Sequence, residues 1–227
     1  MTAKSLPVRA VIWDFDGPIV DSLTPGLRIV EAIAARRNLP FTEEIKLSLV
    51  RRWGLKGSDL IRECFGIPQA ASEIFYREWS DHPDNTRSFV NVGVRRTLQT
   101  FKEAGIVNSI LTSRPSWSLE PALKVKRLRP LFDRIVTTCD TRHHKPDPLA
   151  FACTLQFLAE RGITRDECVF IGDTYVDIAA GRDGLIRTFI VRTGPYAFFE
   201  PEDFDPAHIL PSAAHLPERL KHLGLLE

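Results

Sequence analysis

Two aspartates, Asp14 and Asp16, stand two positions apart near the start of the 227-residue chain, directly after a short apolar run. A carboxylate in this position could attack phosphorus, since a covalent intermediate splits a hydrolysis into two steps. A second carboxylate beside it could protonate the leaving oxygen and then deprotonate a water molecule. Alone the pair is a weak signal, because an Asp at a strand end more often forms a turn or caps a helix.

Three later apolar runs are also followed by polar groups, and their types complement the two aspartates. The groups are, in chain order, Thr112 with Ser113, Lys145, and Asp173 with Asp177. Hydroxyl and ammonium groups can hold phosphate oxygens while charge develops on them. Mg²⁺ prefers oxygen ligands and commonly takes one or two carboxylates in proteins. Together, in this order, the groups predict Mg²⁺-dependent phosphoryl transfer, with Asp14 as nucleophile and the Asp14–Asp173 pair as metal ligands.

The elements that would position these groups are short runs rich in Val and Ile. Because they are near-continuous rather than alternating, they predict strands that are covered on both faces of a parallel sheet. The predicted strands are Val8–Trp13, Val107–Leu111, Ile135–Thr138, Val169–Ile171 and Thr188–Val191. Helical patterns cover Gly93–Ala104, Pro148–Arg161 and Asp173–Asp183. This alternation predicts a doubly wound α/β core, in which ligands bind beyond the carboxyl ends of the strands.

One interval after the first strand departs from this alternation. It has no convincing parallel strand and contains four helical patterns, Leu23–Asn38, Thr42–Trp53, Ser58–Cys64 and Pro68–Ser80. We therefore expect a small α-helical cap domain over residues 22–87, with residues 1–21 and 88–227 forming the catalytic core.

The predicted cap carries a basic loop between two of its helical patterns. Arg51, Arg52 and Lys56 of this loop could grip a second anionic group of a substrate. They could equally be a solvated surface of the cap, and the sequence leaves both interpretations open.

Composition and charge exclude several classes of protein. With 30 basic and 29 acidic residues the formal net charge is +1, which gives no sign of the basic excess of a nucleic-acid-binding protein. No stretch approaches the roughly 18 apolar residues of a membrane span. The first residues lack the long apolar region of a signal peptide. We therefore expect a cytoplasmic protein, a monomer or a homodimer, that binds neither nucleic acid nor membrane.

As a set, the motifs resemble those of the haloacid dehalogenase-like superfamily, and specifically its phosphoglycolate phosphatase-like branch with a helical cap. The matching segments are Asp14–Ser22 (DFDGPIVDS), Ile110–Ser113 (ILTS), Lys145–Pro148 (KPDP) and Gly172–Gly181 (GDTYVDIAAG). The resemblance implies a Rossmann-like core and a phosphatase that hydrolyses a small phosphorylated metabolite, phosphoglycolate-like or another phosphomonoester, through an aspartyl-phosphate.

The resemblance also implies a role for each motif residue. Asp14 would be the nucleophile and a Mg²⁺ ligand, and Asp16 would be the general acid/base and a ligand through its backbone carbonyl. Asp173 would complete the metal shell, with Asp177 supporting it. The phosphoryl group would be held by Thr112, Ser113 and Lys145. Arg114, at a position where similar sequences often have Lys or Arg, is a further candidate for substrate specificity.

Other activities fit part of this pattern. A β-phosphoglucomutase-like phosphomutase and a phosphonate-cleaving enzyme use a similar first motif and cap. A dehalogenase is disfavoured, because those relatives lack an aspartate at the position of Asp16. A signalling module that resembles a response-regulator receiver would also combine acids, a hydroxyl and a lysine, but its phosphoacceptor follows a later strand.

Overall fold

The computed structural model describes residues 6–86, 88–201 and 204–226. The β-strands of these residues are β1 Ala10–Trp13, β2 Val20–Asp21, β3 Phe89–Val90, β4 Val107–Leu111, β5 Arg134–Val136, β6 Cys168–Gly172, β7 Arg187–Val191 and β8 Ile209–Leu210. The α-helices are α1 Leu23–Arg36, α2 Glu43–Arg51, α3 Gly57–Phe65, α4 Gln69–Ser80, α5 Val94–Glu103, α6 Ser116–Val125, α7 Ala152–Ala159, α8 Tyr175–Asp183 and α9 Leu216–His222. Each of the five predicted strands overlaps an observed one.

Six strands form one parallel sheet in the order β5-β4-β1-β6-β7-β8. After β1 the chain adds β4 and β5 on one side of the sheet, and it then returns to add β6, β7 and β8 on the other side. The strand order therefore reverses next to β1, where open α/β sheets bind their ligands. Trp13 of β1 is level with Ile110 of β4 and Ile171 of β6, so these three strands end together. This sheet confirms the predicted doubly wound, Rossmann-like α/β core.

Helices cover both faces of the sheet, which explains why its strands read as continuous apolar runs. Along β1, Val11 and Trp13 pack into one apolar cluster while Ala10 and Ile12 pack into the other. All four residues are fully buried. Because side chains of a strand alternate between its two faces, a strand buried on both sides needs an apolar residue at every position.

The four helices α1–α4 form a separate helical segment between β2 and β3. These two strands pair antiparallel, with Val20 opposite Val90 and Asp21 opposite Phe89, so the chain leaves and re-enters the core at one place. The helices pack around an apolar cluster of their own. A domain boundary at 21/22 stays a prediction, and residue 87, where the cap is predicted to end, lies outside the described residues.

Some elements of the fold were not predicted. Helix α6 has Pro121 in its interior, a residue that normally interrupts a helix, yet it buries Leu119, Ala122 and Leu123. The edge strand β8 has two residues and α9 has seven, too few to show a clear period. Among the described residues, no helix combines the length and the apolarity that crossing a bilayer requires.

Candidate active site

Three polar residues lie side by side where the central strands end. Asp14 follows β1, Thr112 follows β4 and Asp173 follows β6, and all three side chains are buried. The backbone N–H of Asp14 donates to the Ile171 carbonyl at 2.9 Å, which extends the strand pairing up to the site. The parallel register of β1, β4 and β6 thus brings together groups that lie about 160 residues apart in sequence.

Lys145 reaches the same edge from the loop after β5, and its ammonium lies between two carboxylates. Its Nζ is 3.0 Å from Asp14 Oδ2 and 2.6 Å from Asp177 Oδ1. None of these three side chains is more than 5% exposed. Burial alone would lower the pKa of Lys145, but the two neighbouring carboxylates raise it above its usual value. The ammonium therefore stays charged and partly neutralises the site.

Asp177 uses both of its carboxylate oxygens for contacts within the protein. Oδ1 accepts from Lys145, while Oδ2 accepts from the backbone N–H groups of Asp173 at 3.1 Å and Thr174 at 3.0 Å. The Thr174 hydroxyl also donates to Oδ2, at 2.6 Å, and completes a capping box at the start of α8. Asp177 therefore fixes the turn that carries Asp173 and holds Lys145 in position.

Asp173 is in the opposite situation, because neither oxygen of its carboxylate has a hydrogen-bond partner although the residue is fully buried. Burial raises the pKa of this carboxyl well above its ordinary value, and the negative charges of Asp177 and Asp14 add to the effect. The backbone at Gly17 and Gly194 lies close against the Asp173 carboxylate, since a Cβ at either glycine would lie within 2 Å of Asp173 Oδ2. A buried carboxylate without partners is costly unless a cation neutralises it.

Asp14 faces this unpartnered carboxylate. Its Oδ1 accepts from the backbone N–H of Phe15 at 2.7 Å, and burial raises its pKa to about 7 although Lys145 opposes the shift. Asp14, Asp173 and Asp177 each offer an oxygen within 4.8 Å of the others. These all-oxygen donors, with one carboxylate lacking any other partner, fit a hard divalent cation such as Mg²⁺.

Asp16 is paired with Arg114, a contact that sequence reasoning missed. The Nε of Arg114 donates to Asp16 Oδ2 and its Nη2 donates to Oδ1, both at 2.6 Å. Burial alone would raise the pKa of Asp16, but the guanidinium outweighs it and holds the pKa below its usual value. The guanidinium also lies over the ring of Phe15, 5.5 Å from its centroid. A basic residue two positions after Thr112 was the available signal for this pair.

Thr112 and Ser113, both predicted to hold phosphate, point to different neighbours. The Thr112 hydroxyl stays at the strand end, where it accepts from the backbone N–H of Arg114 at 3.2 Å. The Ser113 hydroxyl instead donates to the carbonyl of Gly54 in the helical segment, at 2.6 Å. Gly54 fits closely against the core, since a Cβ there would lie 2.6 Å from Thr174 Oγ1. Ser113 thus connects the helical segment to the sheet.

The three basic residues for which both a grip on substrate and a solvated surface were considered do not line the cleft beside Asp14 and Asp16. Arg51 places its guanidinium over the ring of Phe199, 5.4 Å from the centroid. Arg52 donates to Ser48 Oγ at 2.7 Å and lies 3.6 Å from Glu63. Lys56 precedes α3 at its N-cap, and none of the three lines the cleft beside Asp14 and Asp16. The interpretation as surface of the helical segment therefore fits their positions better.

The cleft beside Asp14 and Asp16 lies between the sheet edge and the helical segment. Arg114 lines it, together with Trp53, Tyr76, Trp79 and Ser80. The indole rings of Trp53 and Trp79 pack against each other at an interplanar angle of 54°, with centroids 5.5 Å apart, and form an apolar wall. Sequence reasoning missed Tyr76, Trp79 and Ser80, because one face of a helix gives no indication of which cleft it borders.

The comparisons with known proteins agree with this geometry. The family model described as "Haloacid dehalogenase-like hydrolase" matches residues 11–191. The chain is similar to N-acetylmuramic acid 6-phosphate phosphatase of Pseudomonas aeruginosa, with 27% identity over 90% of this chain and 89% of the relative. It is also similar to phosphoglycolate phosphatase 1 of the same organism, with 27% identity over 82% of this chain and 69% of the relative.

Solved structures share the fold at low sequence identity. A hydrolase from Pseudomonas syringae superposes with a TM-score of 0.77 at 20% identity, over 94% of this chain and 98% of that one. CbbY from Rhodobacter sphaeroides, solved in complex with phosphate, gives 0.75 at 17% identity over 92% and 96%. The match of the family model over most of the chain confirms the predicted family and enzyme class: the chain belongs to the haloacid dehalogenase-like hydrolases.

Proposed function

We propose that this protein is a Mg²⁺-dependent phosphatase that hydrolyses small phosphomonoesters through a phosphorylated Asp14. The observation that carries the proposal is the fully buried Asp173 carboxylate, which lacks partners and faces Asp14 beside the Lys145 ammonium. A phosphate dianion can approach the Asp14 carboxylate only where positive charge offsets the repulsion. The relatives named as phosphatases support the same activity.

The metal would be held by carboxylate oxygens of Asp14 and Asp173 and by the backbone carbonyl of Asp16. Asp177 would support this set through the turn it fixes and through Lys145. When bound, Mg²⁺ would neutralise charge between the attacking carboxylate and the phosphoryl oxygens.

The remaining steps belong to the residues of the chain. An Asp14 oxygen forms a bond to phosphorus, the bond from phosphorus to the leaving oxygen breaks, and Asp16 in its protonated form gives that oxygen a proton. Because Arg114 lowers the pKa of Asp16, this step uses the minor, protonated form of that carboxyl. Asp16, now ionised, takes a proton from the water that attacks phosphorus, and the bond to Asp14 breaks to release phosphate. Arg114 stabilises the ionised form of Asp16 that this second step uses.

The phosphoryl oxygens would be held by the Lys145 ammonium, the Thr112 hydroxyl and the neighbouring Ser113. As long as the Ser113 hydroxyl donates to Gly54, this residue has only its backbone N–H to offer the phosphate. The cytoplasmic location, the absence of nucleic-acid and membrane partners, and a monomeric or homodimeric state stay predictions.

A phosphate-release screen over small phosphomonoesters, with Mg²⁺ and with a chelator, tests the proposal. We expect phosphate release that requires Mg²⁺, with one phosphate released for each ester molecule that is hydrolysed. Isomerisation of a sugar phosphate without net phosphate release would replace the proposal with a phosphomutase. A phosphorylated Asp14 that persists without turnover would instead indicate a receiver-like signalling role.

A further inference from the structure

The residues that follow β7, 193–200, begin at the proposed metal pocket, and we call them the post-β7 segment. The Thr193 hydroxyl donates to the carbonyl of Gly17 at 2.8 Å, which ties the start of this segment to the loop after β1. The next residue, Gly194, lies so close to Asp173 that a Cβ there would be 1.7 Å from Asp173 Oδ2. The post-β7 segment therefore forms one wall around the buried Asp173 carboxylate.

The other end of the post-β7 segment reaches the helical segment. The Phe199 ring packs against the apolar cluster inside α1–α4, and among the described residues of that cluster it is the only one that the core contributes. The guanidinium of Arg51, at the end of α2, lies over the same ring, 5.4 Å from its centroid. Burial of an aromatic ring and a cation placed over it both favour this contact. Phe199 is thus an apolar anchor of the helical segment on the core.

The middle of the post-β7 segment is braced against the core. It contains a 3₁₀ turn, Pro195–Ala197, in which Pro195 and Tyr196 are buried. Nη1 of Arg192 donates to the Tyr196 carbonyl at 3.3 Å and to Glu200 Oε1 at 3.0 Å, and its Nη2 donates to Glu200 Oε2 at 2.5 Å. The ion pair is solvent-exposed, so it contributes shape more than stability. A short turn fixed at both of its ends connects Gly194 to Phe199 as one unit.

The basic loop between α2 and α3, residues 51–57, also lies directly against the proposed metal pocket. A Cβ at Gly54 would lie 2.6 Å from Oγ1 of Thr174, the residue that follows Asp173. The Gly54 carbonyl accepts from the Ser113 hydroxyl at 2.6 Å. The loop is therefore held at its middle by residues beside the pocket and at its first residue by the post-β7 segment.

We infer that Phe199 is a positioning residue that couples the docking of the helical segment to the binding of a metal ion at Asp173. It acts through the basic loop at one end of the post-β7 segment and through Gly194 at the other. An ion that binds against the Gly194 wall binds the docked protein more tightly, and by linkage it strengthens docking by the same factor. Arg51 then serves docking and not the grip on substrate. The metal part of this inference rests on the proposed function, whereas the docking part does not.

Hydrogen–deuterium exchange of the full chain measures docking. The reporter is a peptide over residues 49–57, in which the backbone N–H groups of Trp53 and Leu55 donate within the loop. We expect Phe199→Ala to speed its exchange by about tenfold, because losing an aromatic contact makes local opening easier. Peptides of β4 should keep the native exchange, which separates undocking from global unfolding. The neighbouring Phe198 is 70% exposed, so Phe198→Ala is the matched control and should exchange like the native protein.

Calorimetric titration with Mg²⁺ alone measures the coupling. Phe199→Ala should weaken Mg²⁺ binding by about three- to tenfold, and Mg²⁺ should slow exchange of the reporter peptide in the native protein by a similar factor. Phe199→Leu keeps an apolar side chain and should give intermediate values, so it remains informative if Phe199→Ala folds poorly. Arg51→Gln should speed exchange about twofold in the native protein but not in Phe199→Ala, where the cation has no ring to cover.

The outcomes separate docking, coupling and the proposed function. Equal exchange of the reporter peptide in the native protein, Phe198→Ala and Phe199→Ala would overturn the docking role. Faster exchange in Phe199→Ala with native Mg²⁺ affinity would overturn the coupling. A native protein that binds no Mg²⁺, with exchange that still depends on Phe199, would support the docking role while rejecting both the coupling and the proposed metal site.

Discussion

The two halves of the cleft differ in how they are built. One half, which we call the phosphate half, contains Asp14, Lys145 and Asp177 and is formed by the core alone. These three side chains are 5% exposed or less. The other half, which we call the leaving-group half, contains the Asp16–Arg114 pair of the core and residues of α4. The side chains of Asp16 and Arg114 are 19% and 11% exposed. We therefore expect the sheet edge to determine the chemistry and the packing of the inserted helices against it to determine the choice of leaving group. This division can be tested by changing each half separately.

The largest effect should come from Asp14→Asn in the phosphate half. The amide is nearly isosteric but is a poor nucleophile, so we expect kcat to fall by at least about 10³-fold. Phosphate release at saturating Mg²⁺ measures this, and circular dichroism serves as a control for folding. A variant that keeps a tenth or more of the native rate would show that another group attacks phosphorus.

Asp173→Asn should have opposite effects on stability and activity. Without metal the native protein must either bury the Asp173 charge without a partner or protonate a carboxyl that is ionised in the unfolded chain, and both are costly at neutral pH. The free energy of unfolding of the variant should therefore rise by about 1–3 kcal/mol. Activity and the Mg²⁺-induced rise in Tm should both be lost. Thermal melts with and without Mg²⁺ measure this, with the exposed Asp183→Asn as a matched control. A metal-free variant that melts below the native protein would contradict the assignment of Asp173 as an unsatisfied ligand.

The stabilisation by Mg²⁺ should increase with pH. Because burial raises the folded-state pKa of Asp14 to about 7, protonated Asp14 contributes stability that is complete below pH 3.8 and is lost as the pH rises through 7. The metal-free Tm should therefore fall between pH 5 and pH 8. Metal ligands must be deprotonated, so the Mg²⁺-induced rise in Tm should be larger at pH 8 than at pH 5. Equal rises at both pH values would contradict a metal site that includes Asp14.

Ser113→Ala should have the smallest effect and shows to which half this residue belongs. If its hydroxyl serves mainly to hold the helical segment at Gly54, one neutral hydrogen bond is lost, and KM should rise by about three- to fivefold with little change in kcat. A fall in kcat of a hundredfold would instead place the hydroxyl on the phosphoryl group. Comparing the change in kcat with the change in KM distinguishes the two roles.

The phosphate half could be predicted because each of its residues directly follows a strand or lies in the next loop. A continuous apolar run such as that of β1 both predicts a buried strand and shows where Asp14 lies. Parallel pairing then brings the ends of neighbouring strands together whatever the loops between them do. The capping box of Thr174 and Asp177 is likewise local, since both residues belong to one helix start.

The leaving-group half could not be predicted in the same way. The Asp16–Arg114 pair joins residues 98 positions apart, and Ser113 meets Gly54 across 59 positions. The Ser113–Gly54 contact depends on how the helical segment docks on the sheet, and no periodicity in either segment encodes that angle. The Asp16–Arg114 pair instead joins the loops after two neighbouring strands of the core, where side-chain direction decides the contact. The basic loop at Arg51 was a reasonable candidate by charge, but its side chain stacks on Phe199 instead.

The crowding around the Asp173 carboxylate has a consequence for the range of sequences that this enzyme can adopt. Because any Cβ at Gly17 or Gly194 would overlap that carboxylate, a saturation library at these two codons should return only glycine among active clones. The codons of Gly66 and Gly162 make a useful contrast, since no atom lies within 4 Å of a Cβ there. Asparagine, which tolerates their positive φ, should survive at both. A growth or colour selection would then test genetically whether the surroundings of Asp173 form the proposed metal site.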